Sequence, residues 1–300
     1  MGKSVTEISL EIDRNKGTIS RELRRNCGQR GYRPRQAHAL ATERFQNSEK
    51  AIKLTTETIG LINEKILLDW SPEQVSGRLK KDHNISISHE TIYQHILEDK
   101  KNGGALYTHL RCQKKRRKRY GTKPHDRRGQ IKNKVSIELR PKIVDEKTRI
   151  GDWEGDLVIG KNHVGALVTL VDRKSKKVLI AKVKSKNATR VKSEVCKMLK
   201  DKKVHTITFD NGKEFSYHEL MAEKLDAKVY FAHAYSSYER GLNENTNGLI
   251  RQYFTKGSSF ENITKEDVKK VEDTLNNRPR KGIGYCTPNE IYFGKKRIPK

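Results

Sequence analysis

Few cysteines and no long apolar run narrow what this chain can be. Its four cysteines, Cys27, Cys112, Cys196 and Cys286, lie far apart and never form a Cys-x-x-Cys pair. That spacing argues against a structural zinc site and against a disulfide framework, and it fits a reducing, intracellular setting. No stretch of about 18 apolar residues exists. The longest candidate, Val164 to Val171, is strand-sized, so no membrane partner is expected. No N-terminal apolar segment resembles a signal peptide, which points to the cytoplasm. Acidic residues are also short, 37 against 64 lysines and arginines, for a net charge of +27. Such an excess repels itself unless a polyanion relieves it, so nucleic acid is the default partner. Apolar residues make up only 33% of the chain, but they cluster in its second half, where a core is expected.

The charge is uneven. Arg111 to Lys142 carry 14 basic and 2 acidic side chains, most of the excess of the first half. Four regions follow: a basic helical unit over 1–45, a second helical unit over 55–110, a basic linker over 111–145, and alternating strands and helices over 146–300. No internal repeat of fixed period is present.

In the first region Val5 to Asp13 and Thr18 to Asn26 read as two short helices. Ile8 and Ile12 form one apolar face, Ile19 and Leu23 another, and Asn15 is a fair N-cap. Two helices joined by a tight polar turn suggest a helix-turn-helix. The second helix offers Lys16, Thr18, Ser20, Arg21, Arg24 and Arg25 as DNA contacts, arginine being suited to guanine and hydroxyls to phosphates. A solvated basic helix would look similar. In the second region Ser71-Pro72-Glu73-Gln74 has capping-box form. His89, Thr91, Tyr93 and Gln94 could meet DNA from the helix after it; a plain packing module is the equal alternative. In the linker, Lys114 to Arg119, including Arg116 and Arg117, would bind phosphates through counterion release without reading sequence. A nuclear-import signal is the competing reading of that block.

The last region opens with Gly151-Asp152-Trp153-Glu154-Gly155-Asp156 on a strand. Strands at Val164 to Asp172 and Val178 to Val183 flank a turn at 173–177. Then come a helix capped by Asn187, a buried strand ending in Asp210-Asn211-Gly212, a helix at Tyr217 to Leu225, a strand at Lys228 to Phe231 and a helix over Glu239 to Phe254. This order resembles an RNase H-like mixed sheet. In that layout Asp156 is mid-strand, Asp210 ends the neighbouring strand, and Glu244 projects from a helix packed nearby. Three gathered carboxylates repel unless a divalent cation sits among them. Mg²⁺ takes oxygen ligands, and two ions about 3.5–4 Å apart can serve phosphoryl chemistry. Alternation puts Asp152, Glu154 and Asp156 on one face of the strand, so periodicity alone does not choose among them.

Longer stretches carry a resemblance. Gly151 to Asp156, Thr208 to Phe215, Glu239 to Phe254, and Asn276 to Lys281 with Thr287-Pro288 resemble the insertion sequence 30 family of bacterial transposases. That family belongs to the DDE class related to retroviral integrases. The resemblance implies all-α helix-turn-helix N-terminal units before an α/β RNase H-like catalytic core. It implies Asp156, Asp210 and Glu244 as catalytic metal ligands for Mg²⁺, with Mn²⁺ as substitute. It implies cleavage at element ends in double-stranded DNA, strand transfer into target DNA, and a homodimer or larger synaptic assembly. Arg240, Asn243, Asn247 and Arg251, near Glu244, are plausible DNA contacts, with helix-surface solvation as the bland alternative. Relatives carry a fuller helical unit before the segment matching Val5 to Asn26, and a Gly where this chain has Ile12-Asp13. The first DNA-binding unit is therefore read as truncated, weak or completed by another chain. A regulator without catalysis would keep the basic helices, but nothing in it would require all three carboxylates. A nuclease of the same fold would stop at hydrolysis.

Overall fold

The computed structural model describes residues 3–47, 54–111, 131–233, 239 and 241–294. The chain forms two compact units, Met1–Thr55 and Thr56–Lys300.

The first unit holds α1 (Val5–Glu11), α2 (Lys16–Asn26), a small hairpin of β1 (Cys27–Gly28) and β2 (Gly31–Tyr32), and α3 (Pro34–Gln46). Ser4 and Glu7 form a reciprocal capping box at the start of α1. Asn15 caps α2, its Oδ1 accepting from the Gly17 N–H at 2.8 Å. Between the helices Asp13 takes a left-handed backbone, φ 48°, where its short polar side chain makes that conformation tolerable. Among the described residues of this unit the core is thin, with Ile19 and Ala37 as its buried apolar residues. Ile12, expected inward, is 52% exposed. The reason is local: α1 ends at Glu11, so Ile12 falls beyond the last helical turn and leaves the apolar face.

The second unit starts with α4 (Thr56–Leu67), α5 (Pro72–His83) and α6 (His89–Lys101). Ile62 and Ile66, Val75 and Leu79, and Ile92 and Ile96 are buried pairs four residues apart, one stripe per helix. Ser71 and Gln74 make the anticipated capping box, with Pro72 at the first helical position. After the short α7 (Lys142–Glu146) come β3 (Asp152–Ile159), β4 (Ala166–Asp172), β5 (Val178–Val183), α8 (Ala188–Leu199), β6 (Thr206–Phe209), α9 (His218–Leu225), β7 (Lys228–Phe231), α10 (Gly241–Tyr253), α11 (Lys265–Asn276) and α12 (Pro288–Tyr292).

The strands form one five-stranded sheet in the order β5-β4-β3-β6-β7. β3, β4 and β5 are antiparallel; β6 runs parallel to β3, and β7 parallel to β6. This is the RNase H-like mixed sheet. Each face has its own core. Val191, Val195 and Leu199 of α8 and Met221 of α9 pack with Trp153, Ile207 and Phe209 on one side. Leu249 and Ile250 of α10 and Val268, Val271 and Leu275 of α11 pack with Val158, Leu167 and Val171 on the other. Each such buried aliphatic side chain stabilises by about 1.5–3 kcal/mol, which is what seats α10 on the sheet. Gly155 has a steric duty here. A Cβ at this position would stand 2.2 Å from the ring of Phe209, which stacks on Phe215 with centroids 4.1 Å apart.

The 56–111 helices pack against the sheet region within this unit. Arg78 of α5 donates to both oxygens of Glu290 of α12, at 2.7 and 2.8 Å, and to Asp82 at 2.6 Å. The Arg78 guanidinium and the Thr287 N–H hold the Glu290 carboxyl down at about 2, below its ordinary 4.5. On acidification the unfolded chain therefore takes up this proton first. The link stabilises fully above about pH 4.5 and is lost as the pH falls toward 2. Chemical denaturation of wild type and Glu290→Gln should show a stability gap at pH 6 that narrows steadily below pH 4.5. A gap independent of pH would refute this role.

Candidate active site

The parallel register of β3 and β6 pairs Asp152 with Thr206, Trp153 with Ile207 and Glu154 with Thr208. Carried two residues further, the same offset sets Asp156 level with Asp210, on chains about 4.8 Å apart. Alternation also decides the face. Trp153 belongs to the α8/α9 core, so Asp156 turns toward the α10 side, and the alternation of β6, continued one residue past Phe209, would turn Asp210 the same way. Asp210 lies just past the end of β6, where its Oδ1 accepts from the Gly212 N–H at 3.0 Å.

The three acids of β3, indistinguishable by periodicity, are separated by their surroundings. Asp152 is fully buried and bidentate with Arg149, at 2.8 and 3.0 Å, and accepts from the Thr206 hydroxyl. Glu154 is buried against Arg173 Nη1 at 2.5 Å. Arg173 is itself buried and also donates to the Val144 carbonyl and to Asp145. Arg140 joins this group through Asp145 and the Thr208 hydroxyl. Burial first, and then the neighbouring Arg173 charge, lower the pKa of the Arg140 guanidinium. Asp156 stands further along the same face and is partly exposed. Its Oδ1 accepts from the Leu157 N–H at 2.9 Å and its Oδ2 from Asn247 Nδ2 of α10 at 2.7 Å. The Thr169 hydroxyl, on β4, bonds both the Asp156 carbonyl and Asn247 Oδ1.

Asn247 is thus the link that ties α10 to Asp156. Glu244 lies three residues earlier on the same helix, and its side chain is exposed. Residues three apart neighbour each other on a helix, so Glu244 borders the Asn247–Asp156 contact. Among the described residues, no three His, Cys, Asp or Glu side chains already stand within reach of one ion. Asp156, Asp210 and Glu244 could offer an ion only oxygen donors, the kind that suits a hard divalent cation and not a thiophilic metal.

The other sequence-derived contacts divide cleanly. Lys16, Thr18, Ser20, Arg21, Arg24 and Arg25 are all exposed on α2, around the buried Ile19. His89 is exposed in the first turn of α6, whereas the Thr91 hydroxyl is bonded to that of Ser88, the helix cap. Arg116, Arg117 and Arg240 lie outside the described residues. Three candidates on α10 face inward instead of outward. Asn243 is 1% exposed, and its backbone N–H donates to Glu154. Asn247 is committed to Asp156. Arg251 donates to the Ile159 carbonyl at 2.8 Å and lies over the Phe260 ring. Proximity to Glu244 in sequence suggested DNA contact, but residues 243, 247 and 251 share the helix face that packs on the sheet. A spacing of three from Glu244 was the signal that could have marked Asn247 as a neighbour of the carboxylates.

No protein-family model matches the chain. Curated relatives do. The transposase of insertion sequence element IS4351 from Bacteroides fragilis is 45% identical over 296 residues, spanning 97% of this chain and 90% of the relative. The transposase of IS1086 from Cupriavidus metallidurans is 33% identical, with 96% and 88% covered. Transposase InsI of IS30A from Escherichia coli is 35% identical, with 96% and 78% covered. Among solved structures, the catalytic core domain of BIV integrase matches 48% of this chain and 93% of its own, at 20% identity and a TM-score of 0.39. With relatives this similar over almost its whole length, the chain belongs to the insertion sequence 30 family of transposases.

Proposed function

We propose that this chain is a metal-dependent DNA transposase of the DDE class, with Asp156, Asp210 and Glu244 as its catalytic carboxylates. The reading is supported by the β3–β6 register, which continued past β6 sets Asp210 level with Asp156, and by the Asn247–Asp156 bond three residues along α10 from Glu244. The three carboxylates would hold the ions. When bound, divalent cations would cancel the mutual repulsion of the acids and polarise the attacking and leaving oxygens. The basic face of α2 would hold the DNA, chiefly at its phosphates.

The proposed reaction has two steps. Water attacks a phosphodiester at the element end, the bond from phosphorus to the 3′ oxygen breaks, and a 3′-hydroxyl is freed. That hydroxyl attacks a phosphodiester of target DNA in line, exchanging one P–O bond for another, so no covalent protein intermediate is required. Wild-type chain incubated with element-end DNA, target DNA and Mg²⁺ should yield joined products. Nicks alone would favour a nuclease, and binding without cleavage a regulator.

Asn247 is a positioning residue in this reading. A hydrogen bond to a charged group contributes about 1.5–3 kcal/mol. Asn247→Ala should therefore lower the rate of joining about 10- to 100-fold at saturating DNA, leaving DNA affinity unchanged. Equal losses in affinity and rate would instead make Asn247 a DNA contact.

A further inference from the structure

A cavity of about 390 Å³ lies inside the second unit, between the α4–α5 turn, helix α10 and the loop after α11. Its wall carries Arg111, Lys176, Arg278, Arg280 and Lys281 against two acids, Asp69 and Glu73. Both acids are engaged. Glu73 accepts from Lys281 Nζ at 2.7 Å. Asp69 pairs with His109 Nδ1 at 2.8 Å and accepts from the Tyr253 hydroxyl at 2.9 Å.

The arginines have a different kind of partner. Arg278 is 2% exposed; its Nη1 donates to Gln252 Oε1 and to the Tyr253 hydroxyl, both at 3.2 Å, and its Nε has no acceptor among the described residues. Arg280 Nη2 donates to the Leu275 carbonyl at 2.9 Å. Arg111 lies over α10 at Gly248, where a Cβ would stand 2.3 Å from its Nη2. Guanidinium groups withdrawn from water and bonded to neutral oxygens favour an anion beside them, and the arginine fork matches phosphate in particular. Asn245 and Thr246, the residues that follow Glu244, line the same cavity.

We propose that this cavity is a phosphate pocket that takes one backbone phosphate of a bound DNA strand. The proposal rests on the reading that the chain acts on DNA, and it adds a second, internal anchor within a turn of Glu244. The charge state supports it. Burial, reinforced by Lys147, lowers the Lys176 ammonium to about 8, and burial lowers Arg280 to about 10, penalties that an incoming anion reverses.

The test uses the full chain and measures affinity for duplex DNA across a salt series. Arg111→Gln and Lys281→Gln alter exposed side chains at the rim, so the fold is retained, which circular dichroism melting checks. Arg24→Gln on α2 is the reference. Removing one phosphate-neutralising cation should reduce the slope of log affinity against log salt by about 0.9. Arg111→Gln is expected to do so on its own and additively with Arg24→Gln. Inorganic phosphate, as a second probe, should raise the melting temperature of wild type but not of Arg111→Gln, and saturating DNA should abolish that rise. Normal DNA binding with an unchanged slope in both rim variants would overturn the pocket and leave the DNA reading standing. Stabilisation by inorganic phosphate with the DNA slope unchanged would overturn DNA as the source. A wild-type chain that binds no DNA would overturn both.

Discussion

Asp156→Asn and Asp210→Asn should each abolish joined DNA product, lowering the rate by about a thousandfold or more while duplex binding persists. The magnitude follows from the work asked of the carboxylates. Holding cations at a phosphoryl centre stabilises the transition state by several kcal/mol, and each 1.4 kcal/mol is about tenfold in rate. Asparagine keeps the size and one acceptor oxygen of aspartate but discards the charge that would hold an ion. The informative control is Glu154→Gln, on the same face of the same strand. Glu154 is buried and bonded to Arg173, so its replacement should lower stability far more than the rate of the folded fraction. Joining by Asp210→Asn at more than a tenth of the wild-type rate would sink the assignment.

Arg173→Met should be the most destabilising of the single substitutions considered. It leaves the Glu154 carboxylate buried without its cation, and breaking such a pair costs about 3–5 kcal/mol. For a unit of this size that corresponds to a fall in melting temperature of about 6–20 °C. Asp145, the second acid on Arg173, is exposed and can turn to water, so most of the loss resides in Glu154. Arg173→Met combined with Glu154→Met removes both charges and should recover much of the stability. If the double variant were less stable than Arg173→Met alone, the pairing would not be the cause.

These two outcomes separate acids that look equivalent in the strand pattern. The sheet strands, the capping box at Ser71, the Asn15 and Asn187 caps and the exposed face of α2 were legible because each depends on residues close in sequence. Strand alternation and helix periodicity report which residues share a face. They do not report what lies opposite. The inward turn of Asn243, Asn247 and Arg251 followed from how α10 docks, and that docking is decided by Leu249 and Ile250 against the far strands. Likewise the association of 56–111 with the sheet region depends on Arg78 meeting Glu290 more than two hundred residues away.

By itself the sequence determined the basic surplus that calls for a polyanion, the alternation of strands and helices, and the motifs that carry the family resemblance, because composition and short-range periodicity are local properties of the chain. Only the tertiary structure decided that Glu154 is buried against an arginine while Asp156 meets Asn247 of α10, since Arg173 and Asn247 are brought there from the turn after β4 and from a distant helix. It also decided where the buried Arg278 and the half-buried Arg280 gather, because burial is set by what the rest of the fold places around a side chain.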